Sequence, residues 1–580
     1  MRGWRDETIR WSLLLALICV GIPLMSGCEQ PDWDNPKYIS KQLEKGNSTE
    51  RKLALQKLSD LPEKKKKKAV PGLVKVYEAE GPNQKKAMQM LVSMPDPAAK
   101  KAYLAEVKDN TTGYSGGAAE ALGESKATET VPQLLKLYTS TGDSDIKQAI
   151  LRGFQYMPDK SMIKPLTKTL KTSVDNNPIA LHSYSCDILG DIAQKSPKAF
   201  DKEQIETLVR AHFLSNKKGQ SVQRECSLAI QKLGAPAIPV LVKTHKGKNK
   251  AVNKLLMKYR NDSTQFPANR AKVAATQRLT SLRAKEAIDL YLEDLKKTRE
   301  VPTDLPDKFI RPWLTFEAQA IDEMVLGLGD LNAKKAQGMI EDALTGEMKE
   351  TWSAVIDYRS ELQLRQDAAF ALVRIGARDA REELMEMATD GVIKKLEQRA
   401  AALEKSDQAK PMPPLQRYQF NWMAAKAWAH LATGEQIDEL KGLIEEGKSR
   451  AKKLGEKYES FMPMLELAKK CRAKGSDKKT AKCYGKAIGS EKSQVREKAA
   501  WELMHLPKKV SGPVLTEKLG TEHLGTREIL TYALFHNPSK SAIAKIDKVL
   551  EKESDETSKS YKLDHYRLKL LRAWLKNHFA

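Results

Sequence analysis

The sequence predicts an all-α fold: an α-solenoid of stacked helical hairpins, with longer irregular helices in its second half. Three observations carry this reading. Apolar residues recur at i, i+3, i+4 and i+7, the stripe of an amphipathic helix. A short apolar mark closes that stripe in unit after unit, and the register following the mark repeats as well. At 580 residues the chain is too long for one ordinary core. Hydrophobic residues at 41%, aromatics at 6% and charged residues at 30% suit a helical array with much exposed surface.

The N-terminus reads as a processing segment, not as fold. Arg2, Arg5 and Arg10 precede an apolar run at 12–25 that is too short to span a bilayer comfortably. Leu24, Met25, Ser26, Gly27 and Cys28 resemble a bacterial lipobox, with Met25 where that pattern prefers Leu. The resemblance implies a lipoprotein signal peptide at 1–27 and acylation of Cys28, palmitate among the chains. Glu29 stands where the retention signal has Asp, which implies the outer membrane, facing the periplasm. Residues 28–36 form a short tether stiffened by Pro31 and Pro36.

The N-terminal array is expected over 37–245. Its marks are Leu61-Pro62, Met94-Pro95, Leu122-Gly123, Met157-Pro158, Leu189-Gly190 and Leu233-Gly234. That spacing is one helix, a turn, a second helix and a return turn. The second helix keeps one register: Val70, Leu73, Val74, Tyr77; Val131, Leu134, Leu135, Tyr138; Ile238, Leu241, Val242, His245. Each copy has proline after its first member, where a first helical turn dispenses with an N–H. In 221–245 the first stripe is Cys226, Ala229, Ile230 and Leu233, closed by Gly234 and Pro236 as a C-cap glycine and proline should close it. These residues resemble HEAT repeats, particularly the short bacterial kind related to phycobilin-lyase repeats. The resemblance implies a right-handed α-solenoid that binds other molecules and carries no reaction.

The pattern lapses over 246–315, which reads as an irregular helical connection, with a loop near 262–267 and prolines at 302, 306 and 312. A C-terminal array with extended helices and a terminal cap is expected over 316–580. Its marks are Leu328-Gly329, Ile375-Gly376, Leu431-Ala432 and Leu506-Pro507. The polar stretches 391–405 and 435–457 read as extended helices. Tyr561, Leu563, Tyr566, Leu568, Leu570, Leu571 and Trp574 give the last helix its apolar side, and a cap should have only one.

Catalytic and metal sites are not indicated. The nine histidines are scattered, and there is no metal-ligand spacing, nucleophile elbow or phosphate-binding loop. No cofactor is implied. Cys471 and Cys483 flank a Gly-Ser-Asp turn and are a candidate disulfide in an exported chain. Cys186 and Cys226, counted back from Leu189 and Leu233, fall one helical turn apart in height and read as core residues. His245 lies on a core stripe; His430 and His505 precede marks and read as structural. Lys64, Lys65, Lys66, Lys67 and Lys68 form either a solvated turn or a polyanion contact near the anchor.

The function expected is a membrane-anchored, exported scaffold, not an enzyme, whose concave face binds another cell-envelope protein. The alternative is a cationic solenoid that binds an acidic envelope polymer or lipid head groups, given the net charge of +24. Nucleic acid is not an expected partner, because the cations are mostly lysines dispersed among acids and without interleaved aromatics.

Overall fold

Helical stripes, proline starts and glycine stops leave the backbone little choice but helix, and helix is what forms. A computed structural model describes residues 32–258, 267–303, 305–352, 358–389 and 414–580. Cys28, the segment 1–27, most of the tether, the loop at 262–266 and the stretch 391–405 lie outside the described residues.

Two compact units divide the chain, Met1–Met157 and Pro158–Ala580. The first holds α1 (Pro36–Lys45), α2 (Ser48–Asp60), α3 (Val70–Glu78), α4 (Gln84–Ser93), α5 (Lys100–Asp109), α6 (Ser115–Glu124), α7 (Val131–Ser140) and α8 (Ser144–Tyr156). First helices α4, α6 and α8 stack side by side, and α5 packs behind α6. Leu91, Leu122 and Phe154 are fully buried between them. The loop after α5 is organised by the buried Glu106, which accepts hydrogen bonds from Tyr77, Thr111, Thr112 and Tyr114.

The second unit continues the same construction. Its helices are α9 (Ile163–Lys171), α10 (Ile179–Lys195), α11 (Lys202–Ala211), α12 (Gln223–Leu233), α13 (Ile238–His245), α14 (Lys250–Lys258), α15 (Pro267–Ser281), α16 (Glu286–Leu295), α17 (Asp307–Asp330), α18 (Gln337–Thr345), α19 (Tyr358–Ile375) and α20 (Arg381–Ala388). Then come α21 (Pro414–Leu431), α22 (Ile437–Arg450), α23 (Lys452–Glu459), α24 (Met462–Arg472), α25 (Asp477–Ala487), α26 (Ser493–Met504), α27 (Lys508–Lys518), α28 (Leu524–His536), α29 (Ser541–Lys552) and α30 (Lys559–Phe579). First helices stack in the order α10, α12, α15, α17, α19, α21, α24, α26, α28, α30, and α30 then packs back on α12. The first-helix layer is therefore a closed circuit. The second helices, such as α25, α27 and α29, pack along it as a further layer.

Several expectations meet the structure here. The second-helix register holds at three of its four positions: Leu73, Leu134 and Leu241 are buried, Val74, Leu135 and Val242 are half-buried, and Tyr77, Tyr138 and His245 are buried, whereas Val70 and Val131 are buried and Ile238 is half-buried. Within 246–315, α15 and α16 form a hairpin whose first helix stacks between α12 and α17. The stretch 435–457 is not one extended helix. It breaks at Ala451 into α22 and α23, which fold on each other because Gly447 leaves room for the ring of Tyr458. Leu189-Gly190 does not end a helix either, since α10 runs on to Lys195. Gly190 instead lets α12 approach: a Cβ there would lie 2.9 Å from the Cα of Ala229. The terminal helix has more than one buried side. It packs on α28, α29 and α12, while Leu563 is exposed.

Candidate functional site

A helix that ends inside a protein leaves carbonyl oxygens that need donors. The marks that close the first helices create this need repeatedly, and the circuit satisfies it with side chains from distant sequence. At the end of α12, Asn577 Nδ2 donates to the carbonyls of Gln231 and Lys232, both at 3.1 Å. His505 Nε2 donates to Val373 O at 2.9 Å at the end of α19, which fixes the proton on that nitrogen. At the end of α21, the fully buried Lys498 Nζ donates to the carbonyls of Ala429, His430 and Ala432 at 3.2, 2.6 and 2.7 Å. Asn537 does the same for α26, reaching Met504 O at 2.7 Å and Leu506 O at 3.2 Å.

Arg374 meets Asp330 at 2.8 Å and lies over the ring of Tyr532 at 4.9 Å, and Arg283 covers Phe535 at 4.8 Å. Burial, against the pull of Asp330, lowers Arg283 to about 10. These side chains line a cavity of about 230 Å³ between α15, α17, α28 and α30. On α16, Asp294 receives His245 at 3.2 Å, Lys272 at 3.3 Å and Arg299 at 3.3 Å. Burial alone would raise the Asp294 carboxyl; the His245 hydrogen bond and the two cations outweigh it and hold the group below its ordinary value. His245 thus sits on the core stripe and is also anchored, with Nδ1 3.0 Å from Thr276 Oγ1.

A cleft of about 780 Å³ opens where the end of α19 meets the first turns of α25 and α27. Glu502, nearly fully buried, is held there by Lys498 and Arg472 at 2.9 Å each and by Arg378 at 3.3 Å. Lys334, Lys508, Asp477 and His505 are among the other polar residues that line it. Sequence reasoning missed this place because its residues belong to five separate stretches. The one signal was a cluster of charged residues on the apolar stripe of α26.

The residues singled out from sequence are placed as follows. Lys64, Lys65, Lys67 and Lys68 are exposed and Lys66 is half-buried, on a single helical turn (Glu63–Lys66) running into α3. Cys471 and Cys483 are joined, closing the turn between α24 and α25. Cys186 and Cys226, expected as separate core residues, are joined as well, with Cα atoms 5.0 Å apart. The physical reason is the length of α10: counting back from Leu189 assumed a helix end that lies six residues further on. Among the described residues no group of three or more His, Cys, Asp or Glu side chains is placed to hold a metal ion. No described helix is long and apolar enough to cross a membrane.

The class defined by this architecture is an all-α helical-repeat protein, a solenoid of stacked hairpins. No protein-family model matches the chain, and no curated protein matches it. Among solved structures, a crystal structure of importin beta in an ammonium sulfate condition is similar at a TM-score of 0.33 and 12% identity, over 90% of this chain and 70% of that one. A likeness of that size carries no argument, and the class rests on the helices and their stacking.

Proposed function

We propose that this chain is an exported, lipid-anchored HEAT-type scaffold that binds another cell-envelope protein through its solenoid surface. The observation that carries the scaffold reading is the stacking of hairpins within each unit, which yields ordered helical faces. Two disulfides support export, because such bonds persist in oxidising compartments. The lipobox-like run ending at Cys28 supports the anchor, and Glu29 supports the outer membrane. In the second unit α30 packs back on α12, so part of the first-helix layer is covered by the chain itself, and the layer of second helices is the larger surface left for a partner.

In-cell crosslinking followed by identification of the captured protein tests the reading, together with fractionation of Cys28→Ala. Release of that variant into a soluble exported fraction is expected; unchanged membrane retention would sink the anchor. A second reading, attachment to an acidic polymer or lipid surface, is favoured by the exposed lysines of the Lys64–Lys68 run. Salt separates the two, since charge-driven binding falls steeply with ionic strength whereas packed contact persists.

A further inference from the structure

We infer that the cleft beside Glu502 binds a phosphate-class dianion carried on a small molecule. Three cations surround one carboxylate at its floor: Lys498, Arg472 and Arg378 all contact Glu502. Lys498 is used up on helix carbonyls, but the side chains of Arg378 and Arg472 are each 35% exposed and line the cleft. A guanidinium presents five donors, and the contact with Glu502 leaves others of the fork open to an oxyanion. Lys334 and Lys508, both exposed, stand at the rim.

Two eleven-residue helices, α25 and α27, open their first turns on the same space. Neither Ser476 nor Pro507 caps its helix with a side-chain hydrogen bond, so N–H groups and the positive ends of both dipoles add to the field. Against this stands one further acid, Asp477. The excess of positive charge exceeds a single unit, which matches a dianion better than a monoanion. At about 780 Å³ the cleft also exceeds what inorganic phosphate needs and has room for the body of a small phosphorylated compound. The site exists only because the returning helices bring α19, α25 and α27 together. It stands whether or not Cys28 is acylated.

Isothermal titration of the full chain, disulfides intact, with inorganic phosphate at low ionic strength tests this, with acetate as the monoanion comparison. Saturable binding at one site, tighter for phosphate than for acetate, is expected. Arg378→Gln should weaken it about tenfold or more. Lys508→Gln, an exposed change that leaves the fold alone, should weaken it by a smaller factor. Asp477→Asn should strengthen it, an outcome that loss of structure does not mimic. Equal affinity in all four proteins, or several phosphates bound at once, would overturn the site. Binding to phosphatidylglycerol vesicles that depends on Arg378 without binding of free phosphate would overturn the small-molecule form in favour of a lipid surface.

Discussion

Asn577, in the last turn of the chain, caps the helix that ends at Leu233. Its amide nitrogen donates to Gln231 O and Lys232 O at 3.1 Å, and its oxygen accepts from Gln194 Nε2. Gly234 makes the approach possible, because a Cβ there would come within 2.7 Å of Asn577 Nδ2. Three segments far apart in sequence are tied by one side chain.

Asn577→Ala should therefore destabilise the second unit by about 1–3 kcal/mol, the cost of leaving part-buried carbonyls without donors. Gly234→Ala should cost a similar amount, since its φ of +73° disfavours any L side chain and the new methyl collides with Asn577. Urea denaturation followed by circular dichroism checks both. Additive losses in the double variant would show that the two residues do not act together.

Lys498→Met should lower stability by about 3 kcal/mol or more. The substitution leaves three carbonyls at the end of α21 unsatisfied and takes one of three cations from Glu502. A neutral result in thermal unfolding would mean that water replaces the ammonium group at no cost.

Loss of the Cys186–Cys226 bond should cost more than loss of the Cys471–Cys483 bond. The first spans 40 residues and the second 12. Loop-closure entropy gives about 4 and about 3 kcal/mol respectively. Paired Cys→Ala variants compared by thermal melts decide the order. Peptide mapping without reductant checks the pairings themselves.

Burial, reinforced by the charges of Arg278 and Arg270, lowers His212 from 6.5 to about 3. Its Nδ1 lies 2.9 Å from Ser227 Oγ. The sign follows from the depressed value. Below about 6.5 the unfolded chain takes up a proton that the folded chain refuses, so stability is lost as pH falls toward about 3. Asp187 and Asp367, raised to about 6 mainly by burial, act in the opposite sense between 3.8 and 6. The readout is therefore the difference between wild type and His212→Asn, which should shrink as pH falls from 7 to 4. A constant difference would show that His212 titrates normally.

Leu122→Asp should disrupt the first unit, because Leu122 is fully buried where α6 packs on its neighbours. Unchanged proteolytic resistance would show the repeat register to be wrong.

Much of the fold was legible locally. The stripe of Cys226, Ala229, Ile230 and Leu233 gave α12 and its buried face, because burial of one helical face is set by spacing alone. The repeated register gave the starts of three second helices, at Val70, Val131 and Ile238, because proline in a first helical turn marks the same place in each copy. The same local reasoning misjudged Gly190, since a glycine that stops a helix and one that admits a neighbouring helix look alike in sequence. That error carried over to Cys186 and Cys226.

The sequence by itself determined the class of the protein, its helices and the polarity of their faces. Only the tertiary structure decided that the first-helix layer of the second unit closes on itself, that Asn577, Lys498 and His505 serve as caps, and that Arg378 and Arg472 meet over Glu502. Helical periodicity is a property of neighbours within a few residues. Closure depends on the small rotation at each of ten successive first helices, and no single stretch of sequence records their sum.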